Sequence, residues 1–150
     1  MTTLDRASVY GTPAFWIRAV YRERFLDQTI TAVVRPGDRS NPEKTPDTHL
    51  PEGVDLAVRF LKKPGKREEG TMPEFYPDDG TTMRIVGHIV KQIKDLTVED
   101  LVGTAPDTAT PELVRYHLGT LYDTPLPHPD DVVTIWRFEY RPNAVEGAVE

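Results

Sequence analysis

Two arginines, Arg35 and Arg39, flank the dipeptide Pro36-Gly37 directly after a run of β-branched residues. Proline removes a ladder donor and glycine permits positive φ, so the segment reads as a turn at a strand end. Two planar guanidinium forks held at such a turn suit a phosphate or a base edge. The plainer alternative is that one of them pairs with Asp38 or another nearby carboxylate and holds the loop. Tyr21 sits between Arg18 and Arg22, an aromatic ring among cations of the kind that single-stranded RNA recognition uses. The densest positive cluster is Arg59, Lys62, Lys63, Lys66 and Arg67, whose spacing fits phosphate tracking along a basic hairpin. Glu68 and Glu69 follow at once, so a charge-balanced solvated turn is the competing reading. Trp16, Trp136, Phe138 and Tyr140 lie at strand or helix spacing and are expected to fill the core.

Other chemistries find less support. Asp78-Asp79, Glu99-Asp100 and Asp130-Asp131 with His128 have no diagnostic metal spacing, and His49, His88, His117 and His128 are scattered. No metal site and no cofactor are expected. Ser8 and Ser40 are the only serines, neither in a Gly-x-Ser-x-Gly elbow, and no glycine-rich phosphate loop is present. Serine hydrolases and nucleoside triphosphatases are thereby excluded, and the absence of cysteine removes thiol nucleophiles, zinc ribbons and disulfide scaffolds.

These residues belong to a chain of 150, 38% hydrophobic and 28% charged, with 14 prolines, which predicts one domain over 1–150 with its core at about 13–141 and a frayed tail at 142–150. No run of 18 apolar residues exists, and Asp5 and Arg6 stand where a secretory signal needs an apolar core, so a cytoplasmic protein without membrane contact is expected. The net charge of −6 disfavours indiscriminate wrapping of nucleic acid. Residues 1–75 hold 12 of the 18 cations and 11 of the 24 acids, leaving 6 and 13 for residues 76–150. An anion-binding face is therefore expected from the N-terminal half, and the acidic C-terminal half could meet a basic protein partner.

The elements that position these groups follow from periodicity. Ile17, Val20, Tyr21 and Phe25 recur at offsets of three and four, predicting an amphipathic helix over 15–26. A β-branched strand follows at 29–34, then a proline-rich loop over 40–53. Val54, Leu56, Val58 and Phe60 alternate with polar residues in a strand over 53–61. A short edge strand at 72–76 and a turn at Asp78-Asp79-Gly80 lead into a long strand over 82–94. Thr97 and Asp100 resemble a reciprocal cap on a short helix, and Thr110-Pro111-Glu112 starts a helix to about residue 122. A last strand covers 132–140. The order gives an α+β fold with a mixed or antiparallel sheet that curls into a small barrel.

The strand that closes on Arg35-Pro36-Gly37-Asp38-Arg39, the Gly53-Val54 strand entry, and the long strand running into Asp95-Leu96-Thr97-Val98-Glu99-Asp100-Leu101 resemble the ASCH domain, a branch of the PUA-like fold. The resemblance spans roughly residues 13–141. It implies a small β-barrel with flanking helices and a cleft for RNA or a modified nucleoside. Some members are RNA-binding modules, others include an acetylcytidine amidohydrolase, and nuclease activity has been attributed to others. The hydrolase type carries Lys-Thr-x-Thr-x-Arg; anchored on Arg35, that signature finds Thr31 and Arg35 in place but Ile30 for the lysine and Val33 for the second threonine. A register shifted by two uses Gln28, Thr29 and Thr31, again without a lysine. Two functions are thus expected to compete: a nucleic-acid-binding module using Arg35, Arg39, Tyr21, Arg18 and Thr31, with phosphate contacts from the basic cluster, or a small hydrolase using Thr31 with Asp107 or Asp38 as base. RNA or a modified nucleoside is the expected partner, with duplex DNA as an alternative.

Overall fold

A computed structural model describes residues 14–45, 48–63, 69–77, 80–121 and 128–141. Six strands, β1 (Ala14–Arg18), β2 (Ala32–Pro36), β3 (Asp55–Lys63), β4 (Glu74–Phe75), β5 (Thr82–Gln92) and β6 (Val132–Arg141), are joined by two short helices, α1 (Arg22–Leu26) and α2 (Pro111–Leu121), and by single 3₁₀ turns. The fold is α+β with a mixed sheet ordered β1-β3-β5-β6-β2, β4 pairing on β3; among the described residues the path is not closed into the expected barrel. The described residues divide into two compact units: those within 14–29, 54–84 and 140–141 form the first, and those within 30–53 and 85–139 the second. The expected tail at 142–150 and the Asp78-Asp79 turn lie outside the described residues. No helix among the described residues is long and apolar enough to cross a membrane.

In the first unit, the expected helix over 15–26 is half strand. Residues 14–18 pair in parallel with β3, Phe15 against Val58 and Ile17 against Phe60, and all four side chains are buried. Period-two burial against a partner strand outweighs the helical offsets that the same residues also satisfy. The helix survives only as α1, which buries Phe25 with its ring 5.9 Å from Phe60 and 6.2 Å from Phe15. It ends on Gln28 at φ +59, with Gln28 N donating to Phe25 O and Thr29 N to Arg24 O, the paired bonds of a Schellman cap. That cap consumes Thr29, so the second strand begins at Ala32 instead of 29 and runs on to Pro36.

In the second unit, β2 and β6 are antiparallel, with Val33 opposite Trp136, Val34 opposite Ile135 and Arg35 opposite Thr134. Alternation sends Ala32, Val34, Val133 and Ile135 to one face, where they pack with Ile93, Leu96, Leu101, Val114 and Leu118. Arg35, Thr134 and Trp136 face the other way. The long strand stops at Gln92, before a 3₁₀ turn at Ile93–Asp95. Both expected caps form: Thr97 N donates to Asp100 Oδ2 (3.0 Å) while Asp100 N donates to Thr97 Oγ1 (3.2 Å), and Leu113 N donates to Thr110 Oγ1 (3.2 Å) at the start of α2. Arg137 closes the other end of the Glu99–Leu101 turn, donating to Asp100 O (2.7 Å) and Val102 O (2.9 Å).

Two changes test this frame. Gly103 sits at φ +89, accepts from Thr31 N (2.8 Å) and Ala32 N (3.2 Å), and a Cβ there would collide with Thr31 Oγ1. Gly103→Ala is expected to cost about 1–3 kcal/mol in urea denaturation. Burial raises the Asp100 carboxyl, but the bond from Lys91 Nζ (2.8 Å) and the Thr97 amide outweigh it and hold it below its ordinary 3.8. A depressed folded value contributes stability that is complete above the unfolded value and is lost as pH falls through the folded one. Asp100→Asn should therefore cost about 1–3 kcal/mol at neutral pH and flatten the acid limb of stability against pH below 4.

Candidate functional site

The arginine turn is built from the sheet outward. Gly37, at φ +80, turns the chain and donates its N–H to Val132 O at 2.8 Å. Thr134, fully buried on β6, donates its hydroxyl to Gly37 O (2.7 Å) and accepts from Arg39 N (2.9 Å), so one side chain fixes both ends of the turn. Arg39 Nε donates to Pro36 O (3.0 Å) and Arg35 donates to Val34 O (3.2 Å); both arginines are half-buried. Asp38 Oδ1 accepts from the hydroxyl (2.5 Å) and amide (3.0 Å) of Ser40, and these bonds, the hydroxyl's first, hold its carboxyl below the ordinary range. Asp38 thus serves an Asx turn and is a poor proton acceptor at neutral pH.

Around this turn the structure gathers residues that sequence reasoning did not single out as a site. The His49 ring shares a 2.8 Å bond with Arg39 O; a carbonyl only accepts, so Nδ1 carries the proton and Nε2 of the neutral ring is an acceptor. His88 Nδ1 lies 2.8 Å from Glu52 Oε1, which fixes its tautomer in the same sense. Glu52 is itself located by a bridge to Ile85. Both imidazoles abut the indole of Trp136, at 5.7 Å for His49 and 5.5 Å for His88. Trp136 is fully buried, and among the described residues its Nε1 has no hydrogen-bond acceptor. An unpaired buried donor costs about 1–3 kcal/mol. Thr134 and Trp136 lie on the face of β6 opposite the core cluster, so Arg35, Arg39, His49, His88 and Trp136 form one neighbourhood in the second unit.

The other sequence candidates are distributed elsewhere. Thr31 is half-buried with its hydroxyl against Gly103, and Asp107 lies in the Pro106–Thr108 turn with Oδ2 3.4 Å from His117 Nδ1, so the two have different surroundings. Arg18, Tyr21, Arg59, Lys62 and Lys63 belong to the first unit, separate from the unit that holds Arg35 and Arg39. Lys66 and Arg67 lie outside the described residues. No cluster of three or more His, Asp or Glu side chains among the described residues is arranged to hold a metal ion.

A small α+β domain with a mixed six-stranded sheet is the class that this architecture defines. Among solved structures, the chain is similar to protein EF3133 of Enterococcus faecalis V583, a DUF984 protein, over 93% of this chain and 82% of that one, with a TM-score of 0.52 and 14% sequence identity. That likeness is one of fold. No protein-family model matches the sequence, and no curated protein matches it.

The Thr134 clamp yields a direct prediction. Thr134→Val keeps the shape and removes both bonds, leaving Gly37 O and Arg39 N unpaired, and should lower unfolding stability by about 1–3 kcal/mol, whereas Thr134→Ser should retain most of it. Urea denaturation of the three proteins checks this.

Proposed function

We propose that the protein is an RNA-binding module of the ASCH type with a PUA-like core, which holds an unpaired base or modified nucleoside at the Arg35–Arg39 turn of the second unit. The observation that carries this reading is the Thr134 clamp, which holds the half-buried Arg35 and Arg39 at a turn beside the imidazoles of His49 and His88, whose tautomers are fixed. Beside that turn the guanidinium groups are donors and the two Nε2 atoms of the neutral rings are acceptors, so both hydrogen-bond polarities occur together. A nucleobase edge carries donors and acceptors side by side, which matches such a set better than a bare phosphate does. The guanidinium groups of Arg35 and Arg39 suit the phosphates on either side of that base.

The hydrolase alternative draws less support. Ile30 and Val33 replace its lysine and second threonine, the Thr31 hydroxyl packs on Gly103, and Asp38 is engaged by Ser40.

Fluorescence anisotropy with labelled single-stranded RNA, transfer RNA and duplex DNA at two salt concentrations tests the proposal. Single-stranded RNA should bind most tightly and lose affinity as salt rises. Arg39→Ala should weaken it by about 1.5–3 kcal/mol, roughly tenfold or more, and Arg39→Lys should not restore a bidentate contact. If Arg35→Ala and Arg39→Ala both fold and bind RNA as tightly as the parent, the site is wrongly placed.

A further inference from the structure

The imidazoles of His49 and His88 each keep one nitrogen unbonded. His88 Nδ1 is held by Glu52 Oε1 and His49 Nδ1 by Arg39 O, both at 2.8 Å, and among the described residues neither Nε2 has a hydrogen-bond partner. Both rings reach water: His49 is half-buried and His88 exposed, with 36% of the His88 side chain accessible. They also share the sheet face of the arginine turn. Thr134 and Trp136 alternate onto the side of β6 opposite the aliphatic cluster, Arg35 stands opposite Thr134 on β2, and both imidazoles meet Trp136. Charge links the turn to β5 as well, since the Asp38 carboxyl, lowered first by its Ser40 bonds, is lowered further by Lys44 and His88.

A neutral imidazole whose Nδ1 carries the proton offers only a lone pair at Nε2. Neither ring can change to the tautomer that donates from Nε2 without giving up its bond to a carbonyl or a carboxylate, groups that only accept. Two fixed acceptors therefore select for donors. On a base that choice falls on one exocyclic group. The amino groups of cytosine and adenine donate, whereas the oxo groups that replace them in uracil and hypoxanthine accept, and set lone pair against lone pair.

We propose that His49 and His88 make the site selective for bases that carry an exocyclic amino group over their deaminated forms, the Nε2 lone pairs accepting from that group. The inference rests on the preceding reading, that an unpaired base is held at the Arg35–Arg39 turn, and names which bases are held there. Glu52 and the Arg39 carbonyl act through the histidines and are positioning groups.

The test is fluorescence anisotropy of the full chain, in mildly alkaline buffer, with uridine oligonucleotides of about 12 residues that carry one cytosine, one adenine or one hypoxanthine. One cytosine should tighten binding over the all-uridine strand roughly 2- to 12-fold, and adenine should exceed hypoxanthine by a similar factor. Affinities should fall as salt rises while these ratios stay constant, because phosphate contacts carry the counterion release and base contacts carry the choice. His88→Ala and His49→Ala should each shrink the preference, and His88→Arg, which puts donors where a lone pair stood, should reverse it in favour of uracil and hypoxanthine. Equal affinity for both members of each pair overturns the inference, and so does a preference that His88→Ala and His49→Ala leave in place. The parent chain alone reads the first of these outcomes, and His88 is exposed, so the result does not hang on a buried variant that fails to fold. If Arg39→Ala weakens every strand alike while no base is preferred, the arginine-turn reading stands and this one is refuted. A preference that depends on the histidines in a chain indifferent to Arg35→Ala and Arg39→Ala upholds this one and refutes the phosphate role of the turn. A parent chain that binds no RNA refutes both.

Discussion

A single buried hydroxyl holds the candidate site together. Thr134 is enclosed in β6, and its oxygen both donates to Gly37 and accepts from Arg39, contacts that reach 97 and 95 residues back along the chain. A hydroxyl is the smallest group that can satisfy a carbonyl and an amide at once, so neither valine nor alanine could close this turn against the sheet. The consequence travels by hydrogen bonds. With Arg39 N fixed, its carbonyl is placed to receive His49 Nδ1–H, and the His49 ring is placed against Trp136. Arg35, opposite Thr134 in register, is held on the same face by the β2–β6 ladder.

Both compact units pack an apolar core on one sheet face and place side chains of a different kind on the other. In the second unit the aliphatic cluster around Val114 and Ile135 fills one side, and the buried polar and aromatic groups Thr134 and Trp136 occupy the other. In the first, Phe25 seals the inner face against Phe15 and Phe60, while Trp16, Arg59 and Phe75 lie outside. The division follows from strand alternation alone: each residue committed to the core forces its neighbours to the opposite side.

How much of this was legible depends on the range of the interaction. The Thr97–Asp100 and Thr110–Leu113 caps close within three residues and were readable from residue type and spacing. So were β3 and β6, whose alternation needs no knowledge of a partner. The segment over 15–26 was not, because Phe15 and Ile17 satisfy a period of two while Ile17, Val20, Tyr21 and Phe25 satisfy 3.6. The choice between them is made by pairing with residues 57–61. The arginine turn announced itself through Pro36-Gly37, but its anchor did not. His49, Glu52, His88 and Trp136 are separated by chain lengths at which no spacing rule operates, and the adjacency of β5 and β6, with the Glu52–Ile85 bridge and the bond from His49 to Arg39 O, brings them together.

The two histidines also constrain what the neighbourhood can do. Each spends its Nδ1 proton on a fixed acceptor, the Arg39 carbonyl or the Glu52 carboxylate. The remaining nitrogen is then a lone-pair acceptor while the ring is neutral and becomes a donor only when the ring takes up a proton. The Trp136 indole has no such freedom, because it donates at every pH. The indole is enclosed, whereas His49 is half-buried and His88 exposed, so the imidazoles set the polarity that the neighbourhood turns outward. The polarity of the neighbourhood is thus set by the carbonyl and carboxylate behind the histidines, groups a ligand need never touch.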